Sequence, residues 1–306
     1  MRPVSGPWGG GNQWLVQLVS HLRTSGYEVI FDLRGEVDCI VVGNVRGISF
    51  GRDDIAEYRR RCPTVRCLHC IQDNDLHRED GNVDVALAEV DTVADFTVFV
   101  SDWLRAHHAE RWFDSSRPHS VIHHAADPAI FHPVRSTPMT PGGTMRIVTH
   151  HWSAHRRKGF DVYAEVDRLI AAGELPDTEL WMMGRWPKDI EWKAARTIPP
   201  RVGPEVASVL REAHVYLTAS RFESCGMHVL EGAQCGLPVL YHVDGGGYVE
   251  IASRFGIALR DDIVGTIGDM REQYPDLRRR VLLEAPSGDA MCAQYRRVIQ
   301  QLLARR

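Results

Sequence analysis

The chain has 306 residues, enough for two domains of ordinary size or one large one. Its 44% apolar and 25% charged residues are the composition of a globular protein with ample core, and no run approaches the ~18 uncharged apolar residues of a membrane span. The first residues hold no signal-peptide hydrophobic region, and a net charge of −4 leaves no basic surplus for general nucleic-acid binding. A cytoplasmic protein with no transmembrane segment and no nucleic-acid partner is expected.

Apolar runs alternate with amphipathic stretches almost throughout, the sign of βαβ units and a largely parallel sheet. Only Met1–Ser5 precedes a glycine run, so either the first strand is very short or the natural start lies upstream. Gln13–Ser25 carries a helical stripe at Trp14, Leu15, Leu18, Val19 and Leu22. Strands are predicted at Glu28–Asp32, Cys39–Val42 and Val65–Ile71, then a helix over Val83–Val93, a strand over Phe96–Val100, a helix over Asp102–Trp112 and a short strand over Ser120–His124. Pro133–Gly143, with three prolines, two glycines and no periodicity, reads as the linker.

A second series follows. Strands are predicted at Met145–Thr149, Glu179–Met183, Val215–Thr218 and Pro238–His242, with helices at Gly159–Ala172, Pro204–Ala213 and Met227–Cys235. The tail from Ala290 to Leu303 again has helical spacing. The reading is α/β: two doubly wound Rossmann-like domains facing a central cleft. One spans residues 1–133 and the other 145–289, with 134–144 as hinge and a terminal helix over 290–306 packing back on the first domain.

Cysteine and histidine give little chemistry of their own. Seven cysteines, with Cys67 and Cys70 in a lone C-x-x-C, lack the second pair of a zinc ribbon and read as scattered reduced thiols. His107-His108, His123-His124 and His150-His151 are adjacent pairs, which cannot share one helix face as i, i+4 zinc ligands do. No metal site is expected. Lysine is scarce: Lys158, Lys188 and Lys193 stand against 33 arginines.

The sharpest constellation runs from Ser220 to Leu240. A strand ends near Thr218, a polar loop carries Glu223, Gly226 opens a helix, and Gly236 closes it ahead of Pro238 and the next strand. Free N–H groups around Gly226, Met227 and His228, with the helix dipole, suit a diphosphate. Glu231 lies five residues past Gly226, ~7.5 Å along the axis. One carboxylate at the helix mouth and one deeper can hold hydroxyls at the two ends of a phosphate-linked ligand.

This segment resembles the retaining GT-B glycosyltransferases of the family-4 type, whose signature is E-x7-E followed by a G-x-P-V strand; Glu223 and Glu231 have that spacing. His151 to Phe160 is similar to the strand-to-helix loop ending in Lys158-Gly159. Ala125 to Pro133, with Asp127, Phe131 and Pro133, is similar to the exit from the first domain. Ala94-Asp95 through Trp103, the run Gly9-Gly10-Gly11-Asn12, and Gly245-Gly246 with Glu250 match further segments in the same order.

The resemblance implies that Glu231 binds the ribose and that Glu223 contacts the donor sugar. The amides of Gly226, Met227 and His228, flanked by Ser224 and Cys225, would then cradle sugar and phosphates, with Lys158 neutralising the leaving diphosphate. Where the family has an arginine five residues before the lysine, this chain has Ser153, so Arg156 or Arg157 is the candidate second phosphate contact.

Gly9–Gly11 lack the third glycine of a dinucleotide fingerprint, since Trp14 stands in its place, and read as a flexible turn near donor or acceptor. His69 and Asp73 end a buried-looking strand, and the family often has a histidine there near the sugar, which makes His69 a catalytic candidate. Trp8 and Trp14 read as a stacking platform or as core.

The expected activity is transfer of a sugar from a UDP-, GDP- or ADP-linked donor to a small-molecule or glycan hydroxyl, with retention, no metal and no cofactor. A silent nucleotide-sugar-binding module and a hydrolase or epimerase on the same scaffold are the alternatives.

Overall fold

A computed structural model describes residues 3, 9–43, 51–78 and 81–304. Apart from Pro3, the short first strand expected at Met1–Ser5 lies outside the described residues, as does Trp8. The chain divides into two compact units, one built on Gly10–His124 and the C-terminal helix, the other on Ala125–Ser287.

The first unit opens with α1 (Gly10–Thr24), followed by β1 (Cys39–Val42), α2 (Arg52–Arg61), β2 (Arg66–Ile71) and α3 (Asp75–Arg78). Then come α4 (Val83–Asp91), β3 (Phe96–Phe99), α5 (Asp102–Ala109) and β4 (His119–Val121). Among the described residues its four strands are parallel in the order β1-β2-β3-β4. β2 is buried from Cys67 to Ile71, the run a parallel strand needs when both faces are covered.

Two expectations change here. Glu28–Asp32 forms no strand: the Val29 carbonyl is taken by the Arg23 guanidinium and Ile30 is 39% exposed, so this stretch is not built into a sheet. Helix α2 was not predicted because its sequence is almost wholly charged; only Ile55 and Tyr58, one turn apart, enter the core with Val42 and Val65. The Gly51 N–H donates to the Asp54 carboxylate and fixes its start.

The second unit contains β5 (Met145–His151), α6 (Phe160–Ala171), β6 (Thr178–Gly184), β7 (Arg196–Ile198), α7 (Pro204–Glu212), β8 (Val215–Thr218) and α8 (Met227–Gln234). It continues with β9 (Val239–Tyr241), α9 (Val249–Ala252), β10 (Gly256–Ala258) and α10 (Ile263–Glu284). The six strands are parallel in the order β10-β9-β8-β5-β6-β7. Its core gathers Ile147, Phe160, Tyr163, Met182, Leu217 and Met270. Edge strand β7 escaped the sequence reading because two of its three residues are exposed, with Arg196 lying over the Trp181 ring. α10 escaped because Pro275 sits inside it.

Pro133–Gly143, read as the hinge, is fastened along the second unit. Thr137 N donates to Arg211 O (2.9 Å), Met139 N to Tyr274 OH (3.2 Å), and the guanidiniums of Arg278 and Arg271 bind Ser136 Oγ and Gly143 O. The units instead divide at His124/Ala125 and Ser287/Gly288.

Helix α11 (Gly288–Ala304) belongs to the first unit. Tyr295 meets the Trp14 ring edge-on at 5.5 Å, and Trp14, 2% exposed, is core rather than a stacking platform. Gly10, Gly11 and Asn12 form the first turn of α1 and not a flexible turn, with Gly9 just ahead of it. A helix start demands no intrahelical acceptor for its N–H groups, so glycine is cheap there. Among the described residues no helix is long and apolar enough to cross a membrane.

Beneath β2, Asp91 collects the polar groups of the first unit. Its carboxylate accepts from His69 Nδ1 (3.0 Å), Thr97 Oγ1 (2.7 Å) and the Arg117 guanidinium. Burial pushes the Asp91 carboxyl up, but these donors and the Arg117 charge outweigh it and hold it below the usual carboxylate value. A group lowered in this way contributes stability that is complete above its unfolded value, about 3.9, and is lost as pH falls through the lower folded value. Asp91→Ala should cost about 1–3 kcal/mol in urea unfolding at neutral pH, by removing the carboxylate that His69 and Thr97 bond in the core, while Arg117 keeps the backbone carbonyls of residues 91 and 94. Between pH 5 and 2 the variant should lose less stability than the parent.

Candidate active site

The second sheet reverses its strand order around its first strand: β6 pairs with β5 on one side and β8 on the other. At such a switch the loops leaving the two strands diverge and open a crevice at their carboxyl ends. The loop after β5 leads to Lys158 and the loop after β8 to Glu223, so the reversal brings together residues 65 positions apart.

Three glycines set these loops. After a single 3₁₀ turn (Arg156–Lys158), Gly159 takes φ +80°, and a Cβ there would lie 2.2 Å from Ala219 O; only glycine lets the Lys158 loop touch the end of β8. Phe222 also has a left-handed φ (58°), with the Arg157 guanidinium over its ring at 5.2 Å. Glu223 is then clamped by Gly245–Gly247: Glu223 N donates to Gly245 O (2.9 Å), Gly247 N donates to Glu223 O (2.8 Å), and a Cβ on Gly246 (φ +85°) would meet Glu223 O at 2.4 Å. Gly226, φ +61°, starts α8 beneath the Tyr248 ring.

The Lys158 ammonium donates to Glu223 Oε1, and both side chains are about nine-tenths buried, at 14% and 11% exposure. Deeper along α8, Glu231 Oε2 accepts from His150 Nε2 (2.7 Å), whose Nδ1 lies 3.0 Å from Tyr216 OH. His228 Nε2 lies 3.2 Å from Thr218 Oγ1. On the other sheet face, Tyr163 OH accepts the Ala219 N–H (2.9 Å) and lies 2.9 Å from His151 Nε2. Burial, His228 and the Lys158 charge push His151 well below the usual histidine value, so it stays neutral. Burial drives the Tyr163 hydroxyl up to about 12 and Tyr216 and Tyr248 well above the ordinary phenol, so all three keep their protons. The result is one cation, two carboxylates and neutral donors under the positive end of α8, an arrangement fit for a ligand with both negative charge and hydroxyls.

Residues 146–269 match the family model described as "Glycosyl transferases group 1". The matched stretch contains Lys158, Glu223 and Glu231. The chain is similar in structure to a sucrose-phosphate synthase from Thermosynechococcus elongatus (TM-score 0.68, 16% identity, covering 97% of this chain and 94% of that chain). It is also similar to HepE from Anabaena in complex with UDP and glucose (TM-score 0.66, 11% identity, 96% and 84% covered). A third similar structure is WaaG, a glycosyltransferase involved in lipopolysaccharide biosynthesis (TM-score 0.64, 14% identity, 96% and 97% covered). The fold is that of the GT-B glycosyltransferases. No curated protein matches the sequence.

Of the residues singled out from sequence, Lys158, Glu223, Glu231, Gly226, Met227 and His228 gather at this switch, with Ser224 and Cys225 buried in the loop between. Arg156 does not join them: it forms an exposed ion pair with Asp189 at 2.7 Å. His69 is not among them: it lies within the first unit, 1% exposed, with its Nδ1 bonded to Asp91. Asp73 is likewise tied into that unit, where its carbonyl accepts from His108 Nε2.

Asp84, His107 and His108 place one ligand atom each within 4.8 Å of one another. Their atoms are already used, however: His107 Nε2 bonds Asp84 Oδ2 (2.9 Å), and His108 Nδ1 accepts from Trp112 Nε1 (3.0 Å). The group ties α4 to α5.

His150, Tyr216 and Thr218 were missed. The signal was present in the register: Val148 pairs with Tyr216, so His150, Tyr216 and Thr218 share the sheet face that α8 covers. Gly246→Ala should cost about 2 kcal/mol or more, because both φ and the Glu223 carbonyl oppose a side chain. At about 2–4 °C per kcal/mol, the melting temperature should fall by ~4 °C or more in a thermal scan.

Proposed function

We propose that the chain is a retaining glycosyltransferase that moves a sugar from a nucleotide-diphosphate sugar to a hydroxyl of a small-molecule acceptor, the donor held by the second unit. The observation that carries the reading is the Lys158–Glu223 pair beside Glu231 at the β5/β8 switch, under the start of α8. The family model matched over 146–269 supports it, and the UDP of the Anabaena HepE complex makes UDP the first base to try.

Glu231, deep on α8, takes the ribose hydroxyls, and Glu223 at the mouth takes a hydroxyl of the sugar. Lys158 turns from Glu223 to the diphosphate, whose negative charge grows as the sugar's C1–O bond to phosphate breaks; a fixed cation there acts mostly in the transition state. The acceptor oxygen bonds to C1 on the face the phosphate leaves, and its proton passes to the departing phosphate oxygen. No carboxylate is needed as nucleophile. Positive charge from Lys158 and the α8 N-terminus replaces a metal ion at the diphosphate.

Glu231→Ala should weaken nucleoside-diphosphate binding by about tenfold or more in calorimetric titration, since a charged hydrogen-bond acceptor is removed. Unchanged affinity would take Glu231 out of the site and end this reading. In EDTA the unsubstituted protein should keep its full rate. Under the same conditions Lys158→Ala should lower kcat by ~100-fold or more with donor KM moving less than about threefold. Equal losses in both would reduce Lys158 to a ground-state contact.

A further inference from the structure

We infer that His150, backed by Tyr216, is a positioning residue that aims the Glu231 carboxylate at the paired hydroxyls of a ribose. The inference rests on the nucleotide-sugar reading of the second unit. Its basis is a chain of hydrogen bonds that, for an uncharged imidazole ending on a carboxylate, has one consistent order. Tyr216 OH accepts the His150 backbone N–H (3.3 Å), so its single proton is free to point at His150 Nδ1, 3.0 Å away. Full burial keeps that phenol protonated. Nδ1 is therefore the acceptor nitrogen and the ring proton sits on Nε2, which donates to Glu231 Oε2 at 2.7 Å.

This leaves Glu231 half engaged. Among the described residues its Oε1 has no hydrogen-bond partner, while Oε2 is tied to the imidazole. A carboxylate held by one oxygen presents the other, and the remaining lone pair of the first, in a fixed plane. That is the pattern two neighbouring hydroxyls on one ring can satisfy together, and a single hydroxyl cannot.

The supporting packing is specific. His150 stands edge-on to the Tyr216 ring at 5.6 Å and to the His228 ring at 6.2 Å, so its plane is set from two sides. Gly232, directly after Glu231, lets α8 close on this group: a Cβ there would lie 2.5 Å from Tyr216 Cδ2. Without that approach the carboxylate would not reach the imidazole.

The test is calorimetric titration with UDP, GDP and ADP, each against its 2′-deoxy counterpart, on the full chain. His150→Phe should lower ribonucleotide affinity by about tenfold and bring the ratio of ribo- to deoxy-affinity close to one. His150→Gln, whose amide can still donate to Glu231, should stay within about threefold of the parent. If His150→Phe keeps the ribo preference while Glu231→Ala loses it, the positioning role is overturned and the nucleotide-sugar reading stands. If Glu231→Ala also changes nothing, or none of the three nucleotides binds the parent, that reading fails and takes this inference with it.

Should His150→Phe not fold, the parent decides. Nitrogen NMR of labelled histidines, assigned with His150→Gln, should find a protonated Nε2 and a bare Nδ1 at His150, altered by Tyr216→Phe. The opposite tautomer, or no response to Tyr216→Phe, would overturn the proton order and the inference.

Discussion

The reversal of strand order around β5 is the constraint on which the candidate site depends. β6 and β7 extend the sheet one way from β5, while β8, β9 and β10 extend it the other way. Every strand is parallel, so all loops that carry chemistry leave from one edge, and only at β5/β8 do two of them part. Lys158 comes from one of those loops and Glu223 from the other. A sheet with the same strands in sequential order would bury these loops beside helices and leave no crevice between them.

Holding charged groups in that crevice has a cost that the surrounding backbone offsets. Lys158 and Glu223 are both largely removed from water, which is tolerable only because each neutralises the other. The loops that carry the pair are fixed through their backbone. Gly159 sits against Ala219 O, Gly246 against Glu223 O, and Phe222 in a left-handed conformation turns the chain between them. Strain of ~1–3 kcal/mol at a non-glycine left-handed residue persists only where its neighbours over-determine it, as Asp244 and Arg157 do here.

Polar side chains buried away from the site follow a different logic. In the first unit Asp91 satisfies His69, Thr97 and Arg117 together, and Asp84 joins His107 near the His108–Trp112 pair. These clusters tie α4 to β2, β3 and α5. At the β5/β8 switch one Glu231 oxygen has no hydrogen-bond partner among the described residues, and Lys158 pairs with Glu223.

The sequence alone determined the parallel α/β class, most strands of both units, and the Lys158, Glu223 and Glu231 set. Buried strands write themselves as apolar runs such as Val215–Thr218, and left-handed turns demand glycine at places such as 159 and 226. It misread elements whose signal is not local. α2 is charged except for three residues, α10 contains Pro275, and Glu28–Asp32 has strand-like residues but is not paired into a sheet. His69 showed the right residue type at a strand end, yet Asp91, 22 positions away, claims its ring. Arg156 was near in sequence to Lys158 but turns to Asp189. His150 read as one of three idle pairs until the pairing of Val148 with Tyr216 put it opposite Glu231, 81 positions on. Hydrogen-bond partners of this kind are chosen by strand register and helix approach, and those distances exist only after the chain has folded.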